Sequence, residues 1–485
     1  MDSILQWVED EFSEIDLGDQ RLNRRLKICT SQFSRVRDST PERCCGAALK
    51  ATYRLVDNDK VSLESILHEH NQGARQRCSK KARVYLIQDT TEVDITKPKQ
   101  QVAGAGPLGA AKRRGFFYHP LYAICGDGIA LGVVDQVLWT RTDASLESSA
   151  QERRAERKRA CFEEKESSRW LEMLQSGEQF ARTVPNTQFV HLADSEADIS
   201  ELFCEELPAN FQTVIRGCKQ HNVVSAFDVQ TAQSLDATNV SDAFEKAAVR
   251  HHRRVTVSNR DAPVLPDDQQ RRRKQSRTAR EATLCVKSIK VVLNGPRRSG
   301  GGSLPNVALN VIELLEEKPP EGETPIHWLL YTTLSIESIE DIDEVIDAYT
   351  QRWAVELYFK TLKSGMKIEQ MKYETLARYQ VAFAMLSVVA WRIEYLKSAS
   401  RHDEASSCEK YFQPHEWKSV VIFATQTLPA QPPTVGEFLR IIAQLGGFIN
   451  KRAQGPPGSQ TIWRGMREFD TIVRAYKAFN QTCGV

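Results

Sequence analysis

The stretch IDAYTQRWAVELYFKTLKSG, residues 346–365, carries the densest pattern in the chain and predicts a helix with two distinct faces. At about 100° per residue, one stripe less than about a quarter-turn wide holds Tyr349, Arg352, Glu356, Lys360 and Lys363. The next stripe holds Val355, Phe359 and Leu362, which can pack on a sheet. Because Ser338-x-x-Asp341 resembles a capping box, the sequence predicts a long helix that begins near Ser338.

The first stripe combines one acid, three cations and a phenol, a mixture that suits a phosphodiester site. Glu356 can ligate a metal ion, Arg352 and the two lysines can bind phosphate oxygens, and Tyr349 can form a hydrogen bond. A solvated helix face with i,i+4 ion pairs is the alternative. The residues of this stretch alone leave both interpretations open.

Two carboxylates follow apolar, β-prone runs earlier in the chain. ARVYLIQD ends at Asp89 and QFVHLAD ends at Asp194, and sites in open α/β sheets form beyond the carboxyl ends of strands. On adjacent strands, the two aspartates could hold a hard divalent cation through oxygen. A turn or helix N-cap role for each is the alternative. Four neighbouring carboxylates compete as ligands: Glu92, Asp94, Glu196 and Asp198.

The composition of the 485-residue chain is that of a globular protein, with 41% hydrophobic and 26% charged residues. No run approaches the roughly 18 apolar residues of a membrane span, and the acidic N-terminus lacks the pattern of a secretory signal. Eleven scattered cysteines without a C-x-x-C favour neither a disulfide framework nor a zinc ribbon. A reducing cytosol is therefore the expected compartment.

Charge is segregated along the chain, although the net value is only +2. Residues 250–300 hold 14 Lys and Arg against four Asp and Glu, and RRRKQSRTAR (residues 271–280) contains six basic residues and no acid. A block of this kind suits a phosphate backbone. A solvated basic loop is the alternative. The candidate DNA-binding residues of the block are Arg271, Arg272, Arg273 and Lys274.

Taken together, these motifs resemble the bacterial DDE transposases of the insertion-sequence-four family, which carry a Y-x2-R-x3-E-x6-K signature. The signature falls here on Tyr349, Arg352, Glu356 and Lys363, after QDTT around Asp89 and ADSEADI around Asp194. The resemblance covers nearly the whole chain. It also includes LGDQRLNRRL, ATYRLVDND, FFYHPLYAI, EKESSRW, ETPIHWLL and LGGFINKR.

The resemblance implies an α/β fold, with a ribonuclease-H-like catalytic core and a β-rich insertion, flanked by helical N- and C-terminal domains. The gap of 162 residues between Asp194 and Glu356 is too long for a bare core and leaves room for the insertion. The expected domains are an end-DNA-binding domain (1–62), a catalytic domain (63–400, with the insertion at about 218–327) and a dimerisation domain (401–485).

The resemblance also implies roles for individual residues. Asp89, Asp194 and Glu356 would form the metal triad for two Mg²⁺ ions, with Mn²⁺ as a substitute. Trp328 would stabilise a flipped base, and Arg216 would be a positively charged site residue. A core aromatic and a surface charge are the alternatives for these two. Four further residues would bind the phosphates of the transposon end: Tyr349, Arg352, Lys360 and Lys363.

The implied activity is cut-and-paste transposition, by strand nicking, hairpin formation, hairpin opening and strand transfer. The implied partners are double-stranded DNA, both transposon ends and target, and a second copy of the chain in a paired-end homodimer. No membrane partner is expected, and the location would be the nucleoid in the bacterial cytosol. A catalytically silent DNA-binding inhibitor and a ribonuclease-H-like nuclease without end specificity are the alternative functions.

Overall fold

A computed structural model describes residues 4–35, 46–97, 101–109, 112–143, 151–152, 155, 159–257, 259, 277–298, 302–449 and 456–483. The chain divides into two compact units. Unit 1 comprises Met1–Arg154 and Trp353–Val485, and unit 2 comprises Ala155–Arg352. Among the described residues, no helix is both long and apolar enough to cross a membrane.

Unit 1 begins with helices, as the sequence predicts for this region. They are α1 (Gln6–Glu11), α2 (Gln20–Arg35), α3 (Gly46–Val56) and α4 (Leu63–Ser79). Helix α2 buries Leu22, Leu26, Cys29 and Phe33, whose three- and four-residue spacing forms one apolar face. A capping box at Ser62 begins α4.

The strands of unit 1 are all paired with one central strand. They are β1 (Arg83–Gln88), β2 (Thr91–Asp94), β3 (Gly106–Pro107), β4 (Arg114–Cys125) and β5 (Ala130–Trp139). Strand β4 pairs antiparallel with each of the other four. The turn from β4 to β5 contains Gly128 at φ +82°, a conformation that is costly for residues with a Cβ.

Unit 2 alternates strands with short helices and begins with α5 (Ser168–Thr183). The next elements are β6 (Gln188–Ala193), α6 (Ser200–Phe203), β7 (Phe211–Arg216), β8 (Val223–Asp228), β9 (Gln233–Leu235) and α7 (Val240–Lys246). The last are β10 (His251–Val257), β11 (Arg280–Leu293), β12 (Val307–Glu316), β13 (His327–Thr332) and α8 (Ile339–Thr350).

The sheet of unit 2 is mixed. Strands β6 and β7 are parallel, and the order β6-β7-β13-β12-β11-β8-β9 continues antiparallel from β7 onwards. Strand β10 pairs with the first half of β11. Strands β8 to β12 all lie between Val223 and Glu316, so this part of unit 2 is rich in β-structure.

Unit 1 resumes with helices. They are α9 (Trp353–Lys360), a π-helical segment (Thr361–Gly365), α10 (Leu376–His402), α11 (Pro414–Thr425), α12 (Val435–Leu445) and α13 (Ser459–Cys483). Phe412, Phe438 and Phe469 pack in the core between the last three helices. Helix α13 also contacts the N-terminal region, because Arg35 of α2 forms an ion pair with Asp470 at 2.5 Å.

The single long helix predicted from Ser338 is wrong, although the capping box at Ser338 is confirmed. Helix α8 ends at Thr350, and α9 begins at Trp353. Between them, the Gln351 N–H donates to Ala348 O and the Arg352 N–H donates to Tyr349 O, at 3.0 and 3.1 Å. These three-residue hydrogen bonds tighten the turn, so the 100° spacing does not continue through it.

Candidate active site

Strand β1 carries the chain to Asp89, the first of the predicted metal ligands. Asp89 is half-buried after five buried strand residues, and its Oδ1 accepts a hydrogen bond from the Thr90 N–H at 2.7 Å. His119 of β4 contacts the residues on both sides of Asp89. Its Nδ1 lies 2.8 Å from Thr90 Oγ1, and its Nε2 lies 3.0 Å from Gln88 Oε1. The buried imidazole therefore fixes the residues on both sides of Asp89.

His119 is a positioning residue that the sequence reasoning missed. It is fully buried in β4. The signal in the sequence is an imidazole within the apolar run FFYHPLYAI, since a buried polar side chain requires a hydrogen-bonding partner.

Asp194 follows β6 and caps a single 3₁₀ turn, Ser195–Ala197. Its Oδ1 accepts a hydrogen bond from the Glu196 N–H at 2.8 Å. Asp194 therefore has the N-cap role that was given as the alternative to metal binding. That role is compatible with metal binding, because an ionised carboxylate has two oxygens and about four acceptor positions. Asp194 is half-buried.

The two competing carboxylates of unit 1 form ion pairs with one arginine. Arg113 contacts Glu92 through Nη1 and Asp94 through Nε, both at 2.8 Å. Burial raises the pKa of Asp94, but hydrogen bonds from Thr96 and Arg113 outweigh it, so the pKa lies below its ordinary value. These two acids therefore have structural partners.

The competing carboxylates of unit 2 are occupied as well. Glu196 forms an ion pair with Arg169 at 3.0 Å. Asp198 is fully buried and lies 2.5 Å from His221 Nε2. Burial raises its pKa, but the hydrogen bond with His221 and those from two backbone N–H groups outweigh it and hold the pKa below its ordinary value. The two donors, each at 2.7 Å, are the N–H groups of Cys218 and Lys219.

The aromatic residues of the candidate site are in direct contact. Trp328 lies in β13 and Tyr349 in the last turn of α8, with ring centroids 5.2 Å apart and planes inclined at 72°. This is an edge-to-face pair, an arrangement worth about 0.5–1.5 kcal/mol beyond the burial of its area. Tyr349 is 4% exposed, whereas Trp328 is only half-buried.

Three charged side chains of unit 2 act on the Tyr349 hydroxyl. Burial raises the pKa of Tyr349; the guanidinium groups of Arg352 and Arg216 oppose this shift, and the carboxylate of Asp194 adds to it. Arg352 also forms a hydrogen bond with Tyr349. Because such effects fall with distance, the groups are close neighbours. The structure therefore brings together five of the predicted residues: Asp194, Arg216, Trp328, Tyr349 and Arg352.

Arg216 ends strand β7, beside β13. Its Nη2 donates to His327 O at 3.2 Å, and its backbone is in register with Leu330. The side chain is half-buried. The guanidinium therefore lies against the strand that carries Trp328.

Glu356 lies half-buried in the first turn of α9. The helix macrodipole favours a carboxylate at this end. Val355, Phe359 and Leu362 are buried, as their spacing predicts. Glu356 is therefore held by a helix whose apolar face is fixed in the core of unit 1.

The two lysines differ in their surroundings. Lys360 is exposed at the end of α9, whereas Lys363 lies in the π-helical segment and its Nζ is 3.7 Å from Glu369 Oε1. The same Glu369 oxygen accepts a hydrogen bond from the Asp94 N–H at 3.1 Å. The predicted single stripe of five side chains is wrong, because the helix is interrupted before Trp353 and π-wound after Lys360.

Arg271, Arg272, Arg273 and Lys274 lie outside the described residues. The described end of the basic block has structural partners. Arg280 forms ion pairs with the buried Glu316 at 2.8 Å and with Glu323 at 2.7 Å. Arg280 therefore stabilises the β11–β12 pair.

A buried polar group links the π-helical segment to the C-terminal helices. Glu394 of α10 accepts hydrogen bonds from Thr361 Oγ1 at 2.5 Å and from Ser459 Oγ at 2.7 Å, and it forms an ion pair with Lys397. Burial lowers the pKa of Lys397, and the Glu394 carboxylate opposes that shift. One carboxylate thus connects the segment after α9 with the start of α13.

Three families of known proteins match parts of the chain. Residues 4–61 match the transposase DNA-binding family, residues 209–392 match the transposase DDE domain, and residues 388–482 match the transposase Tn5 dimerisation domain. The matched DDE range contains Arg216, Trp328, Tyr349, Arg352 and Glu356, but it begins after Asp89 and Asp194.

These matches define the class of protein: the chain is a DNA transposase with a DDE domain, and it takes part in DNA transposition and recombination. Within this class, its C-terminal helices are of the type found in the Tn5 transposase. The DNA-binding and dimerisation matches make DNA a partner and imply dimer formation.

Among solved structures, the chain is similar to the piggyBac transposase in a synaptic complex with hairpin DNA. The sequence identity is 8% and the TM-score 0.35, over 97% of this chain and 81% of that one.

Proposed function

We propose that the chain catalyses cut-and-paste transposition of its own insertion element and belongs to the insertion-sequence-four family, with a resemblance to the Tn5 transposase. The observation that carries this proposal is the cluster in unit 2. There Tyr349 contacts Trp328 and lies close to two arginines and Asp194. The cluster combines a phosphate-binding group, a stacking ring and a metal-binding carboxylate in one place.

The proposed catalytic core is ribonuclease-H-like. Its support is that β1 and β6 each end on an aspartate, that β6 and β7 are parallel, and that the DDE domain matches residues 209–392. The proposed domains remain an end-DNA-binding domain (1–62), a catalytic domain (63–400) and a dimerisation domain (401–485).

Asp89, Asp194 and Glu356 are the proposed ligands of two Mg²⁺ ions, for which Mn²⁺ would substitute. The residues fit such ions, because all three are half-buried carboxylates and hard divalent cations prefer oxygen ligands. The carboxylates that compete in sequence form ion pairs with arginine or histidine side chains. When bound, such ions activate the attacking hydroxyl and stabilise the leaving oxygen.

The other residues of the proposed site bind and orient DNA. Arg352 and Arg216 would bind phosphate oxygens of the transposon end, next to the Tyr349 hydroxyl. Lys360 and Lys363 would bind further phosphate oxygens, Lys360 from an exposed position. Trp328 would stack on a base flipped out of the duplex, offsetting part of the few kcal/mol that unstacking costs.

The proposed reaction is a series of in-line phosphoryl transfers. Water breaks one strand and releases a 3′-hydroxyl at the transposon end. That hydroxyl attacks the opposite strand and closes a hairpin, which a second water opens. The freed 3′ ends then attack target DNA. A homodimer would hold both ends in one complex, on the nucleoid in the bacterial cytosol.

The test uses the full chain, Mg²⁺ and DNA that carries the ends flanking its own gene. Products are resolved on a denaturing gel, with Asp194→Ala as the control. We expect a nick followed by a hairpin in the presence of Mg²⁺, and neither product with Asp194→Ala. Specific binding of paired ends without strand breakage would establish the inhibitor instead. Cleavage regardless of end sequence would establish the plain nuclease.

A further inference from the structure

A second group of potential metal ligands lies in unit 2, on the strands between Asp194 and Glu356. It consists of His252 in β10, Cys285 in β11 and Glu317 just after β12. One ligand atom from each residue lies within 4.8 Å of the other two. The imidazole Nε2 is 3.0 Å from Glu317 Oε1. Nothing in the proposed transposition reaction uses these three residues.

The strand register explains why these residues meet. His252 is directly opposite Cys285 in the antiparallel β10–β11 pair. Cys285 in turn is opposite Leu315 of β12, and Glu317 follows two residues later on the same face. The backbone also holds Glu317 in place, because its N–H donates to Thr283 O at 3.4 Å. The three side chains therefore project from the same, solvent-facing side of three adjacent strands.

The chemistry of the three ligands selects the metal. Imidazole nitrogen, thiolate sulfur and carboxylate oxygen are the ligands of Zn²⁺, and sites with three protein ligands leave the fourth tetrahedral position to water. Mg²⁺ prefers an all-oxygen octahedral shell. Tetrahedral Zn²⁺ bonds of about 2.0–2.3 Å place ligand atoms about 3.3–3.8 Å apart. His252 and Glu317 are exposed and Cys285 is half-buried, so small side-chain rotations can close the site.

We propose that His252, Cys285 and Glu317 bind one Zn²⁺ ion, or a similar thiophilic divalent cation, with water as the fourth ligand. The site is separate from the carboxylates proposed to hold Mg²⁺. A metal here links β10, β11 and β12.

A metal bound to β10 would also affect α8, the helix that carries Tyr349, because β10 contacts this helix. The neighbours of His252 in β10 contact α8 from the other side of the strand. Arg253 lies 2.9 Å from Asp343 and forms an ion pair with Asp347, and His251 Nε2 lies 3.1 Å from Asp343. A bound metal therefore stabilises the strand on which α8 rests.

The experiment titrates the full chain with Co²⁺, a probe for Zn²⁺ sites, in the presence of excess Mg²⁺. Co²⁺ bound to a thiolate gives a charge-transfer absorption in the near ultraviolet that carboxylate ligands do not produce. We expect one equivalent of Co²⁺ to give this absorption, and one equivalent of Zn²⁺ to remove it. Excess Mg²⁺ should leave it unchanged.

Variants identify the ligands. Cys285→Ser should abolish the absorption, and His252→Ala and Glu317→Gln should each weaken Co²⁺ affinity by at least about 100-fold, since loss of even a supporting residue costs about 10–100-fold. Cys161→Ser is the matched control, because Cys161 is exposed and lies elsewhere in unit 2. It should leave the titration unchanged.

Two results would overturn the proposal. One is a wild-type chain without the thiolate absorption; the other is an absorption that survives Cys285→Ser. In either case the hydrogen bond between His252 and Glu317 is only a surface contact. Circular dichroism and binding of end DNA show that each variant is folded. Because the readout does not depend on DNA cleavage, failure here leaves the proposed transposase activity unaffected.

Discussion

The indole ring of Trp328 lies edge-on to the phenol ring of Tyr349, with centroids 5.2 Å apart. The contact joins a residue that the sequence predicts to stack on a flipped base with one predicted to bind phosphate. Trp328 is only half-buried, whereas a purely structural core aromatic would be enclosed. Tyr349 therefore supports the indole from one side and leaves part of its surface accessible.

Replacement of Trp328 separates the steps of the proposed reaction. Trp328→Ala should slow hairpin formation more than first-strand nicking, because base stacking on an aromatic ring is worth about 1–3 kcal/mol. This corresponds to a roughly 5- to 150-fold loss in the hairpin step. Trp328→Phe, which keeps a ring, should retain most of the rate. Equal loss in both steps, measured by quenched-flow on end DNA, would indicate a packing role instead.

Replacement of Glu356 tests the metal triad. Glu356→Gln keeps the shape of the side chain but removes its charge, so nicking should fall at least about 100-fold, as expected when several kcal/mol of metal-dependent stabilisation are lost. Binding of end DNA should change little. Glu374→Gln is the control, since this side chain is 74% exposed. Normal nicking by folded Glu356→Gln protein would exclude Glu356 from the site.

Asp403 makes stability depend on pH. Burial raises its pKa, but hydrogen bonds from Lys410, Ser406 and Tyr411 outweigh this effect and lower the pKa to about 2. The folded pKa of Asp403 lies below the unfolded value of about 3.9. Its contribution to the free energy of unfolding is therefore complete above that pH and is lost as the pH falls towards 2. This contribution amounts to about 2 kcal/mol.

Asp403→Asn should therefore destabilise the C-terminal helices by about 2 kcal/mol near pH 7, and the difference from wild type should shrink below pH 4. Hydrogen exchange of the α10–α13 amides measures this local opening. Glu404→Gln is the matched control, because its exposed ion pair with Arg440 should contribute less than about 1 kcal/mol. A difference that grows on acidification would contradict the assignment.

Replacement of Glu394 tests the buried link to α13. Glu394→Gln leaves Lys397 buried without a counter-charge, which costs about 3–5 kcal/mol. At about 2–4 °C per kcal/mol, the unfolding temperature should fall by about 6–20 °C in calorimetry. Thr361→Val, which removes one hydrogen bond to the same carboxylate, should cost only about 1–2 kcal/mol. An unchanged midpoint for Glu394→Gln would show that this contact is energetically neutral.

The sequence predicts those features that depend on local pattern. The apolar runs before Asp89 and Asp194 are strands that end next to each aspartate. The buried face of α9 also follows from the periodicity of its apolar residues, because an apolar helix face packs against the protein core.

Features that depend on tertiary contact could not be predicted in this way. No glycine or proline marks the break at Gln351, so the residue pattern predicts a helix that continues through it. The Lys363–Glu369 contact depends on a π-helical segment that no residue pattern signals. His252, Cys285 and Glu317 are separated by 33 and 32 residues, and only the strand register brings them together.

The ion pair between Arg35 and Asp470 imposes an order on folding during synthesis. The two residues are 435 positions apart. At about 5–20 residues per second, a ribosome adds Asp470 roughly 20–90 s after Arg35. Helix α2 is therefore synthesised well before Asp470, and the whole of unit 2, which is contiguous in sequence, is synthesised between them. Unit 2 can therefore fold before the two segments of unit 1 come together.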